Sequence, residues 1–213
     1  MLLINPSTEE FGGFIARYVP ASVPEAIGLL AGYLSKFGYS VGIIDEEIET
    51  MSDSLLEEKL GNLPGPRIFG ISVLTSQAIR AYELAGMLKQ LYPDCTVIMG
   101  GIHVTALPDE GIENGADIVV RGEGEVTLKM IYEAIHNGTD WIETPGITYK
   151  DADGKIVSTA DALLINELDE IPILPYELFD HSRYNLGVIT SARGCPYKCS
   201  FFSQRLMTRL TYR

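Results

Sequence analysis

Long apolar runs are missing from this chain. Every hydrophobic stretch is cut by Gly, Pro or a charge within about ten residues, short of the roughly 20 that a helix needs to span a bilayer. The opening MLLINPS has no basic flank and only four apolar residues before Asn5 and Pro6, so it reads as a buried first strand rather than a secretory leader or an anchor. Cysteine is scarce as well. Three cysteines cannot all pair, and Cys95 stands far ahead of Cys195 and Cys199, which excludes a disulfide scaffold and implies reduced thiols in a cytoplasmic setting. Positive charge is short: 16 Lys and Arg against 29 Asp and Glu leave a net charge of -13. An acidic body of this kind repels phosphate backbones and anionic lipid, so neither nucleic acid nor a membrane surface is an expected partner. The shortage is uneven. Residues 183–213 hold six Lys and Arg and no Asp or Glu, which gives that segment +6 and residues 1–182 a charge of -19. The basic segment is either a solvated tail or a local positive field for an anionic cofactor.

What the chain does contain is an alternation. Apolar runs of strand length at 1–5, 39–45, 67–74, 96–101 and 117–122 are separated by segments of helical period at 24–37, 52–61, 76–92 and 125–137, most of them closed by a Gly or Pro stop. Such βα repeats require right-handed parallel crossovers. The expected fold class is therefore α/β, a doubly wound, Rossmann-like five-stranded parallel sheet with helices on both faces. The pattern then breaks: ITYK, DADG and KIVS predict an accessory β-hairpin turning at Asp153-Gly154, and 166–182 is proline-rich and acidic without a clear period, as a linker packed along a surface would be. From Tyr184 a strand and a glycine-marked loop begin a further βα unit, unfinished by Arg213 if it opens a (β/α) barrel, which needs roughly 200 residues or more. The expected divisions are 1–145, 146–182 and 183–213.

Open parallel sheets bind ligands beyond the carboxyl ends of their strands. Those positions carry Asn5-Pro6-Ser7 with a long loop containing Gly12-Gly13, then Ser72-Val73-Leu74-Thr75-Ser76, then Gly100-Gly101-Ile102-His103, then Arg121-Gly122-Glu123-Gly124-Glu125. A dinucleotide fingerprint is lacking, because Gly122-x-Gly124-x-x-Thr127 follows the wrong strand, misses its third glycine and sets two glutamates where pyrophosphate would sit. The carboxylate cluster of a phosphoacceptor site is lacking too, since Asn5 and Ser72 cannot hold a divalent cation. These loops fit a large, weakly charged cofactor that needs hydroxyls, backbone N–H groups and close backbone approach. Each residue has a plainer role: Ser72 and Thr75 as helix caps, Gly100 and Gly101 as a tight turn, and His103 as a hydrogen-bonding loop residue.

On these residues the chain resembles the cobalamin-binding domains. Ser72-x-Leu74 and Gly100-Gly101 look like two of that family's three signatures, in which the serine and the glycines line the pocket for the nucleotide tail. The third, Asp-x-His-x-x-Gly, which carries the lower histidine ligand to cobalt, is absent. Gly100-Gly101-Ile102-His103-Val104-Thr105 and the RGEGE of 121–125 are similar to the subgroup attached to radical SAM enzymes. The loop Arg193-Gly194-Cys195-Pro196-Tyr197-Lys198-Cys199-Ser200-Phe201 resembles that class's C-x-x-x-C-x-x-C motif, whose three thiolates hold a 4Fe-4S cluster and leave one iron for S-adenosylmethionine. Here Phe202 stands where the third cysteine belongs, so two thiols cannot hold an ordinary cluster, nor close a zinc site.

The resemblance implies a cobalamin-binding portion of a radical SAM methyltransferase or cyclase, with the first unit of its barrel. Cobalamin contacts are expected from Asn5, Pro6, Ser72, Leu74, Thr75, Gly100, Gly101, His103, Gly122 and Glu123, and metal ligation from Cys195 and Cys199. The parent enzyme would add S-adenosylmethionine, a 4Fe-4S cluster and an interdomain contact with its barrel. The alternatives are a non-enzymatic cobalamin carrier or sensor with a vestigial cluster loop, and a flavodoxin-like module for another ligand.

Overall fold

The computed structural model describes residues 1–8, 21–187 and 189–213. The loop with Gly12-Gly13 lies outside the described residues, as does Val188.

Five strands run parallel: β1 (Leu2–Asn5), β3 (Gly42–Asp45), β4 (Ile68–Ser72), β5 (Thr96–Gly100) and β6 (Ile118–Val120). The sheet nevertheless has seven strands, in the order β3-β1-β4-β5-β6-β7-β8. Its last two, β7 (Ile147–Lys150) and β8 (Ile156–Ser158), are the expected hairpin. Rather than standing apart as an accessory ribbon, β7 pairs antiparallel with β6, setting Val120 opposite Ile147 and Ile118 opposite Tyr149. The reason is apolar: Ile147 is fully buried, and the hairpin covers the row of unpaired N–H and C=O groups that β6 would otherwise expose.

Alternation along the strands divides the core between the two faces. Leu2, Ile4, Phe69, Ile71, Val97, Met99 and Val119 point to one face, where α2 (Asp53–Gly61) contributes Leu56 and α3 (Ala78–Leu91) contributes Ala81, Leu84 and Leu88. Leu3, Ile68, Ile98, Ile118 and Val120 point to the other, against α1 (Glu25–Lys36) and α6 (Glu125–Asn137) through Ile27, Leu34, Leu128 and Ile131. Ser52 caps α2 by accepting from the Leu55 N–H at 3.2 Å. Two short helices that the periodicity does not mark, α4 (Ile102–Ala106) and α5 (Pro108–Glu113), fill the crossover after β5.

The segment 166–182 contains only 3-10 turns and lies along α1. Leu174 and Phe179 are buried there, and the absence of side chains at Gly28 and Gly32 makes the contact possible: a Cβ at Gly28 would stand 2.4 Å from Leu174 Cδ1, and one at Gly32 would stand 3.2 Å from Pro175. The strand expected from Tyr184 is brief. Only β9 (Tyr184–Asn185) forms, parallel to β2 (Ala21–Ser22). Beyond it the chain crosses the carboxyl rim of the sheet without regular structure until α7 (Gln204–Thr208), which packs beside α4.

Candidate functional site

At the carboxyl rim, on the α1/α6 face, three neighbouring strands run out of side chain together. In register, Gly70 of β4 lies beside Ile98, and Ser72 beside Gly100 of β5; Gly122 follows β6 one strand further on. These small residues open a cavity of about 240 Å³ between sheet and helices. Leu3, Ile98 and Val120 line it from the sheet, and Ile27, Leu30 and Leu128 from the helices. Its polar side chains are those of Ser72, Glu123, Glu125, Arg193 and Thr208.

The two glycines of the pair have different reasons to be glycine. A Cβ at Gly100 would find its nearest neighbour at 3.8 Å, so that position is open on the cavity side. Gly101 has φ +106°, and a Cβ there would stand 2.8 Å from Val73 O and 2.9 Å from Val73 N. Gly101 is therefore required by the fold: it lets the chain pass Val73, which donates its N–H to Gly100 O at 2.7 Å and accepts from the His103 N–H at 3.2 Å. The two glycine loops are also tied to each other, since Thr105 Oγ1 accepts from the Gly122 N–H at 3.0 Å.

Of the expected contact residues, Ser72, Gly100, Gly101, Gly122 and Glu123 line the cavity, and the other five lie outside its lining. Asn5 and Pro6 belong to a buried polar cluster at the end of β1. Gln77 Nε2 donates to Pro6 O at 2.7 Å and to Asn5 Oδ1 at 3.2 Å, and Asn5 Nδ2 donates to Asp45 Oδ1 at 2.8 Å. Asp45 also accepts from the Tyr184 hydroxyl at 2.8 Å. Burial pushes the Asp45 carboxyl above its ordinary range against the pull of the hydrogen bonds from Asn5 and Tyr184. Leu74 is exposed. His103 is 8% exposed and turned toward the other face: its Nδ1 lies 3.3 Å from Thr75 Oγ1, and its Nε2 lies 3.1 Å from the Tyr82 hydroxyl, which donates to Glu110 at 3.0 Å.

Glu123 is held from three sides. Arg213 Nη2 donates to its Oε1 at 2.5 Å, the Ile165 N–H to its Oε2 at 3.0 Å, and Arg193 Nη1 lies 3.6 Å away. Burial raises the Glu123 pKa, but the bonds from Arg213 and Ile165 and the charge of Arg193 outweigh it and leave the carboxyl below its usual range. Glu125, in the first turn of α6, takes Arg193 Nη2 at 2.5 Å. Arg121 fastens the same loop to the hairpin through Thr159 O at 2.5 Å and Asp161 at 2.9 Å.

Cys195 is half-buried and Cys199 exposed, and Phe202 is exposed with its ring edge-on to Phe201 at 5.2 Å. Cys95 sits just before β5, at the amino rim, and so on the opposite edge of the sheet from this segment. Among the described residues no three His, Cys, Asp or Glu side chains group as a metal would need. An iron-sulfur cluster does not fit this loop, whereas the cavity beside Gly100 has the mostly apolar lining that a flat, largely apolar group would need.

Over residues 16–131 the chain matches the B12 binding domain. It belongs to that family. An uncharacterized methyltransferase of Pyrococcus horikoshii, PH0819, is 34% identical over 214 residues, covering 97% of this chain and 45% of the relative. The anaerobic magnesium-protoporphyrin IX monomethyl ester cyclase of Rubrivivax gelatinosus is 32% identical over 216 residues, covering 96% and 38%. This B12-binding chain thus spans less than half the length of these curated relatives. Its fold matches that of the cobalamin-dependent S-adenosylmethionine radical enzyme OxsB, solved with aqua-cobalamin and S-adenosylmethionine, at a TM-score of 0.77 and 22% identity over 94% of this chain and 28% of the other.

Two cavity residues escape a reading of loops alone. Gly70 sits inside the strand IFGIS, and a lone glycine in a buried strand is itself a signal of close approach. Arg193 is read as a flank of the cysteine loop, and its carboxylate partners lie 68 and 70 positions earlier.

Proposed function

We propose that this chain is the cobalamin-binding portion of a radical SAM enzyme of the methyltransferase or cyclase type, and that it holds the cofactor by its nucleotide end. The observation that carries this reading is the run of small residues Ser72, Gly100 and Gly122 at the rim where open sheets take ligands, with Gly70 making room for Leu3 on the cavity floor. At about 240 Å³ the cavity is smaller than the roughly 300–1,000 Å³ of sites that enclose a whole ligand. It would hold the flat base of the tail, with Gly101, Gly122 and Glu123 at its rim available to the rest of the cofactor. Ser72 supplies a hydroxyl to an otherwise apolar slot, and the Ile27, Leu30 and Leu128 wall excludes water. His103 is committed to Tyr82 and Thr75, so cobalt takes no ligand from it. When bound, cobalamin supplies methyl-group or radical chemistry that no side chain can, and the protein's share is to seat and shield it. We assign S-adenosylmethionine cleavage and transfer to an unactivated carbon to the longer parent, in a cytoplasmic setting.

The test is to mix purified protein with hydroxocobalamin, desalt, and record the visible spectrum. Corrin absorbance near one equivalent per chain is expected, and equal retention by a Cys195→Ser/Cys199→Ser protein would exclude capture by thiols. A colourless protein overturns the reading. The exposed Phe202 favours a second reading, a cobalamin carrier without turnover. Phe202→Cys in the parent separates the two: iron-sulfur reconstitution with S-adenosylmethionine cleavage supports the enzyme, and corrinoid retention without either supports the carrier.

A further inference from the structure

Among the described residues, the acidic and basic parts of the chain meet most closely at one place. Glu123 and Glu125 lie at the mouth of the cavity with 6% side-chain exposure each, and the two arginines that reach them, Arg193 and Arg213, come from the only segment with a pronounced positive charge. Arg193 and Arg213 also exchange two backbone hydrogen bonds, each 2.9 Å, so that both ends of segment 193–213 are clamped at a single point on the rim. Between those ends the segment crosses the opening. Met207 and Thr208 line the cavity, and a Cβ at Gly122 would stand 3.5 Å from the Met207 carbonyl. Arg209 adds an outer tie, to Ala162 O at 2.6 Å.

A ligand larger than the cavity would meet this segment at the opening. We propose that Glu123 and Glu125 are an electrostatic latch: they close the cysteine-bearing segment over the cavity, and a corrinoid seats by opening it. The inference rests on the cobalamin reading for its second half only; the latch itself is a statement about four side chains. Cys195 lies two residues from Arg193, so opening the latch uncovers it, whereas Cys199 is exposed in either state and Cys95 reports unfolding. Glu123 and Glu125 act here through Arg193 and Arg213, as positioning residues.

Thiol labelling with a maleimide, pulsed and resolved by mass spectrometry, reads all three cysteines in the full chain. The ratio of the Cys195 rate to the Cys199 rate should rise about tenfold in Glu125→Gln and at least as much in Arg193→Gln, which also faces Glu123, and the double variant should add nothing beyond Arg193→Gln alone. Cys95 should stay protected. Ratios unchanged from the parent chain, or effects that simply add, overturn the latch. If Glu125→Gln exposes Cys95, the same cycle with Glu123→Gln and Arg213→Gln decides. Cyanocobalamin should raise the Cys195 ratio in the unmodified protein, and the latch variants should retain more corrinoid after desalting. Corrinoid retained with no change at Cys195 overturns the opening step. Corrinoid retained by none of the proteins defeats the cobalamin reading instead, and the latch then stands or falls on the ligand-free ratios.

Discussion

At the scale of the residue, the cavity depends on atoms that are not there. Gly100 is the clearest case, because its open side lets the consequence of a side chain be isolated. Gly100→Val keeps an ordinary strand conformation, and its Cβ has no neighbour nearer than 3.8 Å, so its effect on stability should stay within about 1 kcal/mol, by thermal or denaturant unfolding. The same variant should lose at least about tenfold in cobalamin retention, because the branched side chain fills the slot. Gly101→Val should behave differently and cost stability outright, since the backbone of Val73 occupies the required space. Glu123 carries a prediction in pH. Its folded pKa lies below the unfolded value, so its contribution to stability is present above the ordinary glutamate range and is lost as pH falls from about 4.5 through the folded value. Glu123→Gln should therefore be less stable than the parent at pH 6, and the difference should shrink toward pH 3 in parallel thermal melts.

At the scale of the element, α1 and α3 hold glycines whose surroundings differ. Gly86 of α3 has open space where a Cβ would go, so Gly86→Ala should stabilise by up to about 1 kcal/mol through helix propensity alone. Gly28→Ala in α1 should gain less or lose, because its methyl group presses on Leu174 and Phe179; a paired urea titration reads the contrast. Elements of this kind also decide what could be read before any coordinates. The five parallel strands and four long helices follow from apolar runs and helical period, and they form within a few residues of the expected bounds. The pairing of β7 with β6 did not follow, because a hairpin's turn residues fix its own two strands but say nothing about which edge it joins. His103 and Asn5 were legible as rim residues by position. Their side-chain directions depend on Tyr82 and Asp45, partners 21 and 40 positions away, and Asp45 is held in turn by Tyr184, 139 positions from it; no local pattern encodes those contacts. Gly70 was visible as a lone glycine in a strand, yet its meaning required knowing that Gly100 would lie on the neighbouring strand.

At the scale of the whole molecule, ligand binding should register as stability. A corrinoid bound at about a hundred times its dissociation constant would add about 2.7 kcal/mol. For a protein of this size that corresponds to a rise of roughly 5–10 °C in thermal midpoint. Differential scanning fluorimetry with cyanocobalamin should show the rise, and flavin mononucleotide or NAD at equal concentration should not. The reverse pattern would return the chain to the flavodoxin-like alternative. The proline-rich segment before Asp180 has a further bearing on the slot. One flank of α1 is a wall of the cavity, while Gly28 and Gly32 on another flank form the bed in which Leu174, Pro175 and Phe179 rest. A pull on that proline-rich strap would bear on the helix that walls the slot, so the width of the slot is tied to side chains that do not line it.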